Sequence, residues 1–272
     1  MTPTTSPGDR ANRTAARRRA ALREGARKVA LPGVTAALAL LFWETWVRVM
    51  DIPAVLLPAP SAIVETLHRL FFPLILKHAI PTMLESLAAF VISCVIGVAL
   101  AGLLSSSRLL REALYPNVVF FQLIPKIALA PLFIVWLGIG AESRLSFAVF
   151  ISFFPVVIAT LAGLDNVDKS LLRLCRALRA SEWQVFRDVR LPFAIPYVFS
   201  GMKIATTFAI IGVIVGEFIT SQAGLGYLIL FASAQAETTL IFAAITVLCL
   251  FGLLFYGVIA MAEVYMRRRF GA

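Results

Sequence analysis

A lysine and a glutamine inside an apolar run are the first residues in this sequence that could do chemistry. Gln122 and Lys126 lie in the stretch 113–137, which is otherwise mostly hydrophobic and is punctuated by Pro116, Pro125 and Pro131. An ammonium group is costly in hydrocarbon, so an intramembrane lysine is by default a functional position, here one facing a solute of negative or partly negative charge. A lysine that snorkels, or that caps carbonyls at a broken helix end, accounts for it equally well. Proline supplies no backbone donor, so a helix must bend or break near Pro125. A bilayer tolerates that only where protein or a water-filled passage covers the freed carbonyls. Glu217, which opens the string EFITSQAGLGYL at the end of another apolar run, is a second charged candidate for the wall of such a passage.

The other chemical feature is a charged island, LLRLCRALRASEWQVFRDVRLPFAIP, residues 171–196. Leu171, Leu174, Cys175 and Leu178 fall at helical spacing, with Arg173, Arg176 and Arg179 on other faces. Ala180 and Ser181 interrupt the pattern, and Ser181 with Gln184 forms the signature of a capping box that starts a second helix. That helix carries Trp183, Phe186 and Val189, is expected to end at Pro192, and leaves Pro196 to open the next apolar run. Two short amphipathic helices at a membrane surface suit either docking of another protein or anchoring to lipid headgroups.

The elements that must position these residues are membrane spans. The 272-residue chain is 60% hydrophobic and 15% charged, against about a quarter charged in soluble domains. Apolar runs at about 31–50, 86–105, 113–137, 145–164, 197–219 and 240–261 approach the ~20 residues that a crossing needs. The expected fold is therefore an all-α polytopic membrane protein with about six transmembrane helices. Pro73 and Pro81 limit the mixed segment 51–85 to short helices, with Ile63, Leu67 and Leu70 on one face. Glu44 and Arg48, four apart, can pair, and Lys203 can snorkel to the nearer surface. Gly224 and Gly226 suggest a flexible bend before a short, re-entrant apolar piece.

The net charge of +10 does not point to nucleic acid, because the basic residues alternate with the spans in a one-sided way. Residues 1–30, the 105–112 turn, the island and Arg267 to Arg269 hold most of them, which puts both termini in the cytoplasm. Residues 1–30 read as a basic cytoplasmic tail, residues 31–272 as the membrane domain, and about 165–196 as its cytoplasmic loop. Three cysteines without paired spacing and two histidines close together suggest no disulfide, metal site or cofactor. No G-x-x-x-x-G-K-S/T, H-E-x-x-H or G-x-S-x-G string occurs, so a catalyst is not expected. The chain reads as a conduit moved by something else. An ATP-independent channel or carrier, or a membrane scaffold binding anionic lipid, is the alternative.

Four separated strings carry a family resemblance: LLPAPSAI at 56–63, IPKIALAPLFIVWLGIG at 124–140, Phe186 followed by VRLPFAIP at 189–196, and GEFITSQAGLGYL at 216–228. They resemble permease subunits of bacterial ATP-binding-cassette importers with the type I, methionine-importer-like fold. Within that family they look like the nitrate, sulfonate, taurine and pyrimidine-precursor branch, with IPKIALAPL nearer the pyrimidine-precursor side. The resemblance implies a multi-pass protein of the bacterial inner membrane that takes its solute from an extracytoplasmic binding protein. It also implies cytoplasmic ATPase subunits and a second permease copy. The island then corresponds to the EAA coupling loop, with Arg173, Arg176, Arg179, Ser181, Trp183, Phe186, Leu191, Pro192 and Pro196 as ATPase-coupling residues. The translocation path is expected to involve Gln122, Pro125, Lys126 and Glu217. Where the family has Glu-Ala-Ala and a turn glycine, this chain has Arg173, Leu174, Cys175 and Arg179, so Ala180 and Ser181 are expected to make the turn.

Overall fold

A computed structural model describes residues 30–220 and 222–270; the basic tail read from residues 1–30 falls almost wholly outside them. The chain divides into two compact units, residues 1–65 and 66–272. In the first, helix α1 (Ala30–Val49) is one apolar span. Glu44 accepts from Arg48 Nε at 2.6 Å, as the spacing predicts, and also from the Ser61 amide at 3.0 Å and its hydroxyl at 2.8 Å. Ser61 lies in the first turn of α2 (Pro60–Leu70), so one carboxylate ties the span to the start of the next helix.

In the second unit every long apolar run is helical, because a backbone in lipid must pair its own N–H and C=O groups. A π-helical turn (Phe71–Ile75) containing Pro73 leads into α3 (Leu76–Ser106), which carries Pro81 internally. The two prolines therefore do not confine this segment to short helices as expected. The wider turn absorbs Pro73, and the helix continues past Pro81 to its full length. α4 (Arg108–Leu123) is followed by a 3₁₀ turn (Lys126–Leu129) and α5 (Ala130–Leu137). α6 (Ala141–Asp165), α7 (Lys169–Ala177), α8 (Glu182–Val185), α9 (Leu191–Thr220), α10 (Leu225–Ala234) and α11 (Thr238–Phe270) complete the order. Among the described residues five helices are long and apolar enough to cross a membrane, or six if the broken α4–α5 pair is one span.

α6 is the centre of this unit, packed along α9 on one side and α3 on another. Small residues permit the approach: a Cβ on Gly201 would fall 2.8 Å from the Pro155 carbonyl oxygen, and one on Gly212 would fall 2.6 Å from Ala148 Cα. Close backbone contact of this kind is how helices gain dispersion energy where lipid removes the hydrophobic drive between them. The Ser93 and Ser152 hydroxyls meet at 2.5 Å between α3 and α6. Arg144 of α6 pairs with Glu85 of α3 at 2.5 Å, and Arg111 of α4 makes a two-bond pair with Asp165. Lys203 pairs with Glu263 of α11, and its ammonium lies 5.6 Å from the Tyr256 ring.

Candidate functional site

The charged island folds as an elbow. Asp168 caps α7 by accepting from the Ser170 amide at 2.8 Å and from the Ser170 hydroxyl. Those bonds hold its carboxyl below the ordinary aspartate range. Leu171, Leu174 and Leu178 are 41, 55 and 73% exposed, so the apolar face of α7 has little to pack on. The helix closes with the Ala180 amide on the Cys175 carbonyl and the Arg179 amide on the Arg176 carbonyl, both at 3.0 Å. This paired closure requires a left-handed residue, and Arg179 supplies it at φ 55. The turn expected of Ala180 and Ser181 is thus made by the arginine itself, at the position where the resembled family has glycine.

Ser181 then starts α8 with the expected capping box: its hydroxyl accepts from the Gln184 amide and its amide donates to the Gln184 side chain. Pro192 does not end this helix. A π-helical turn (Phe186–Arg190) joins α8 to α9, and Pro192 sits in the first turn of α9. The wider turn just before it makes room for the proline ring, and Pro196 is carried one turn further on. Trp183 stacks on Phe186 at 5.8 Å between ring centroids and is 67% exposed. Arg173, Arg176, Arg179, Ser181 and Leu191 are also exposed, whereas Phe186, Pro192 and Pro196 are half-buried. The elbow therefore gathers most of the coupling candidates on open surface.

At the other candidate, α4 stops at Leu123, Ile124 is extended, and the chain resumes at Lys126 with a 90° bend. The break falls where the prolines predict it. The Lys126 ammonium sits 4.7 Å from the Phe154 ring centroid and 5.9 Å from that of Phe208. These rings belong to α6 and α9, and their π-faces attract the cation. Gln122 and Pro125 stand exposed beside it. The three residues form one cluster at the break.

Glu217 is elsewhere and is not on an open wall. It is 2% exposed. Its carboxylate accepts from the Thr82 hydroxyl and from the Gly226 amide, each at 2.7 Å. Thr82 Oγ1 in turn accepts from the Leu225 amide at 2.8 Å, and His78 Nδ1 accepts from the Gly224 amide at 3.2 Å. Glu217, Thr82 and His78 thus receive the first amides of α10, the end of a helix that favours negative charge. Gly224, at φ +108, would drive a Cβ to within 2.1 Å of Glu217 Oε1. The bend expected to be flexible is a pinned helix start, and α10 is the short apolar helix foreseen after it. Thr82 and His78 were not legible as its partners, because they lie more than 130 residues away in sequence.

A family model described as binding-protein-dependent transport system inner membrane component matches residues 93–269. The riboflavin transport system permease protein of Chloroflexus aurantiacus is 33% identical over 85% of this chain and 86% of its own length. The formylaminopyrimidine transport permease protein of Halalkalibacterium halodurans is 32% identical over 82% of this chain and 89% of its own. An inward-facing crystal structure of the MetNI methionine ABC transporter shares the fold, with TM-score 0.62, 19% identity, and coverage of 71% of this chain and 96% of that one. The chain belongs to the inner membrane components of binding-protein-dependent transport systems, the non-catalytic permease subunits of ABC importers.

Proposed function

We propose that this permease moves a small heteroaromatic solute along a passage whose mid-depth wall is the break at Gln122, Pro125 and Lys126. A binding-protein-dependent system implies an external binding protein and ATPase partners, so hydrolysis occurs on another subunit. The elbow, about residues 165–196, grips that ATPase through Arg173, Arg176, Arg179, Ser181, Trp183, Phe186, Leu191, Pro192 and Pro196. The five or six spans among the described residues enclose little of a passage, and a second copy related by a two-fold axis supplies the opposite wall. The charge bias of the sequence supports cytoplasmic termini, with residues 1–30 as a basic inner tail.

The observation that carries the solute class is the Lys126 ammonium held over the Phe154 ring. A cation among aromatic rings suits a flat solute with electron-rich carbonyl or ring-nitrogen edges. The names of the riboflavin and formylaminopyrimidine relatives point the same way. The test is ATP-dependent uptake into vesicles containing the permease, its ATPase and its binding protein. Lys126→Met should lower uptake of such a heterocycle about tenfold or more, with the complex still assembled. Normal uptake by that variant would return Lys126 to a structural role, and transport of taurine or alkanesulfonates alone would overturn the solute class.

A further inference from the structure

Between the last turns of α3 and the elbow lies a cleft of about 640 Å³, lined by Ala99, Gly102, Leu103, Trp183, Phe186 and Arg190 and rimmed by Ser105, Ser106 and Glu182. Its lining is mostly apolar, with Arg190, Glu182, Ser105 and Ser106 as its polar side chains. Arg190 and Ser105 both line it, and Arg190 Nε and Ser105 Oγ are buried without a hydrogen-bond partner among the described residues. Buried donors are rarely left unpaired, and a guanidinium fork matches phosphate oxygens. We propose that the cleft is a glycerophospholipid site, with the phosphodiester on Arg190 and the Ser105 hydroxyl and one acyl chain against Ala99, Gly102, Leu103 and Phe186. A lipid so placed bridges α3 to the aromatic pair of the elbow and becomes part of the joint that transmits ATPase motion. It is a single built site, distinct from diffuse attraction of basic residues to headgroups.

The coupling consequence rests on the elbow reading above; lipid binding itself does not. Native mass spectrometry of the full-length chain, titrated with phosphatidylglycerol or with diacylglycerol of the same chains, tests it. Phosphatidylglycerol should bind at least about tenfold more tightly, the gain of a charge-assisted phosphate contact. Arg190→Gln should erase that preference. Gly102→Leu should abolish binding of both lipids; a Cβ on Gly102 meets nothing within 4 Å, so this variant fills the cleft without a clash at its root. Equal affinity for the two lipids, undiminished phosphatidylglycerol binding in both variants, or displacement of the lipid by inorganic phosphate alone would overturn the proposal. Retained lipid binding in a chain whose Trp183 variant still couples normally would leave the site standing and reject the elbow reading.

Discussion

The α9–α10 clamp and the elbow solve the same problem, the end of a helix, in opposite ways. In the clamp, Glu217 and Thr82 are 2 and 0% exposed, and both meet the amides that start α10. In the elbow, the apolar face of α7 and the Trp183 ring stand open. The clamp is complete within one chain, so its residues serve the fold. The elbow is satisfied in its caps and open on its surface, as the proposed ATPase contact requires. Charge alone does not separate the two roles. Burial together with the number of satisfied partners does.

Substitutions can break that contrast, and their effects on stability should fall in a definite order. Gly224→Val should be the most severe. It places a β-branched residue at φ +108, costing about 1–3 kcal/mol in backbone strain, and it also drives the Glu217 carboxylate off its donors. Thermal unfolding in detergent should show a large drop in Tm, or no folded chain. Glu217→Ala should follow, at about 2–4 kcal/mol, because it leaves the Gly226 amide and the Thr82 hydroxyl buried without their acceptor. An unchanged Tm in that variant would mean that the clamp is dispensable. Arg179→Gly should act in the other direction, raising stability by about 1 kcal/mol as glycine relieves the left-handed turn. The smallest stability effect belongs to Trp183→Ala, within about 0.5 kcal/mol as for exposed positions generally; adding Phe186→Ala, at a half-buried ring, costs about 1 kcal/mol more. That pair should nonetheless lose most ATPase stimulation by loaded binding protein, as removal of an aromatic hot spot would. A double variant that unfolds, or that couples normally, would erase the distinction between clamp and elbow.

Local chemistry made much of this legible. Span positions, the Ser181 capping box, the break near Pro125 and the Glu44–Arg48 pair all depend on residues within a few positions of one another. What is not legible rests on contacts that sequence spacing does not reveal. The Glu217 clamp is hidden because Thr82, which donates to its carboxylate, and His78, which accepts from the Gly224 amide, lie on another helix. The Lys203 partner is hidden for the same reason: Glu263 touches it in space but lies sixty residues on. Prolines were overweighted as helix stops at Pro73 and Pro192, where a π-helical turn beside or around them lets the helix run on. Arg179 was misjudged for a different reason: left-handed backbone is unfavourable for arginine, and nothing nearby signals that a helix closure would impose it.

The π-helical turn at Phe186–Arg190 has a consequence for how such a permease can vary. A turn of this kind holds about one residue more than an α-helical turn. It therefore sets the azimuth at which Trp183 emerges about the α9 axis. Deleting a single residue between Phe186 and Arg190 would restore ordinary winding with the same number of turns, so the span and the direction of the indole would both be kept, whereas the same deletion in a plain α-helical stretch would swing the indole by about 100°. The π-helical turn is thus the point at which a one-residue change of length is absorbed without turning the elbow against the membrane core.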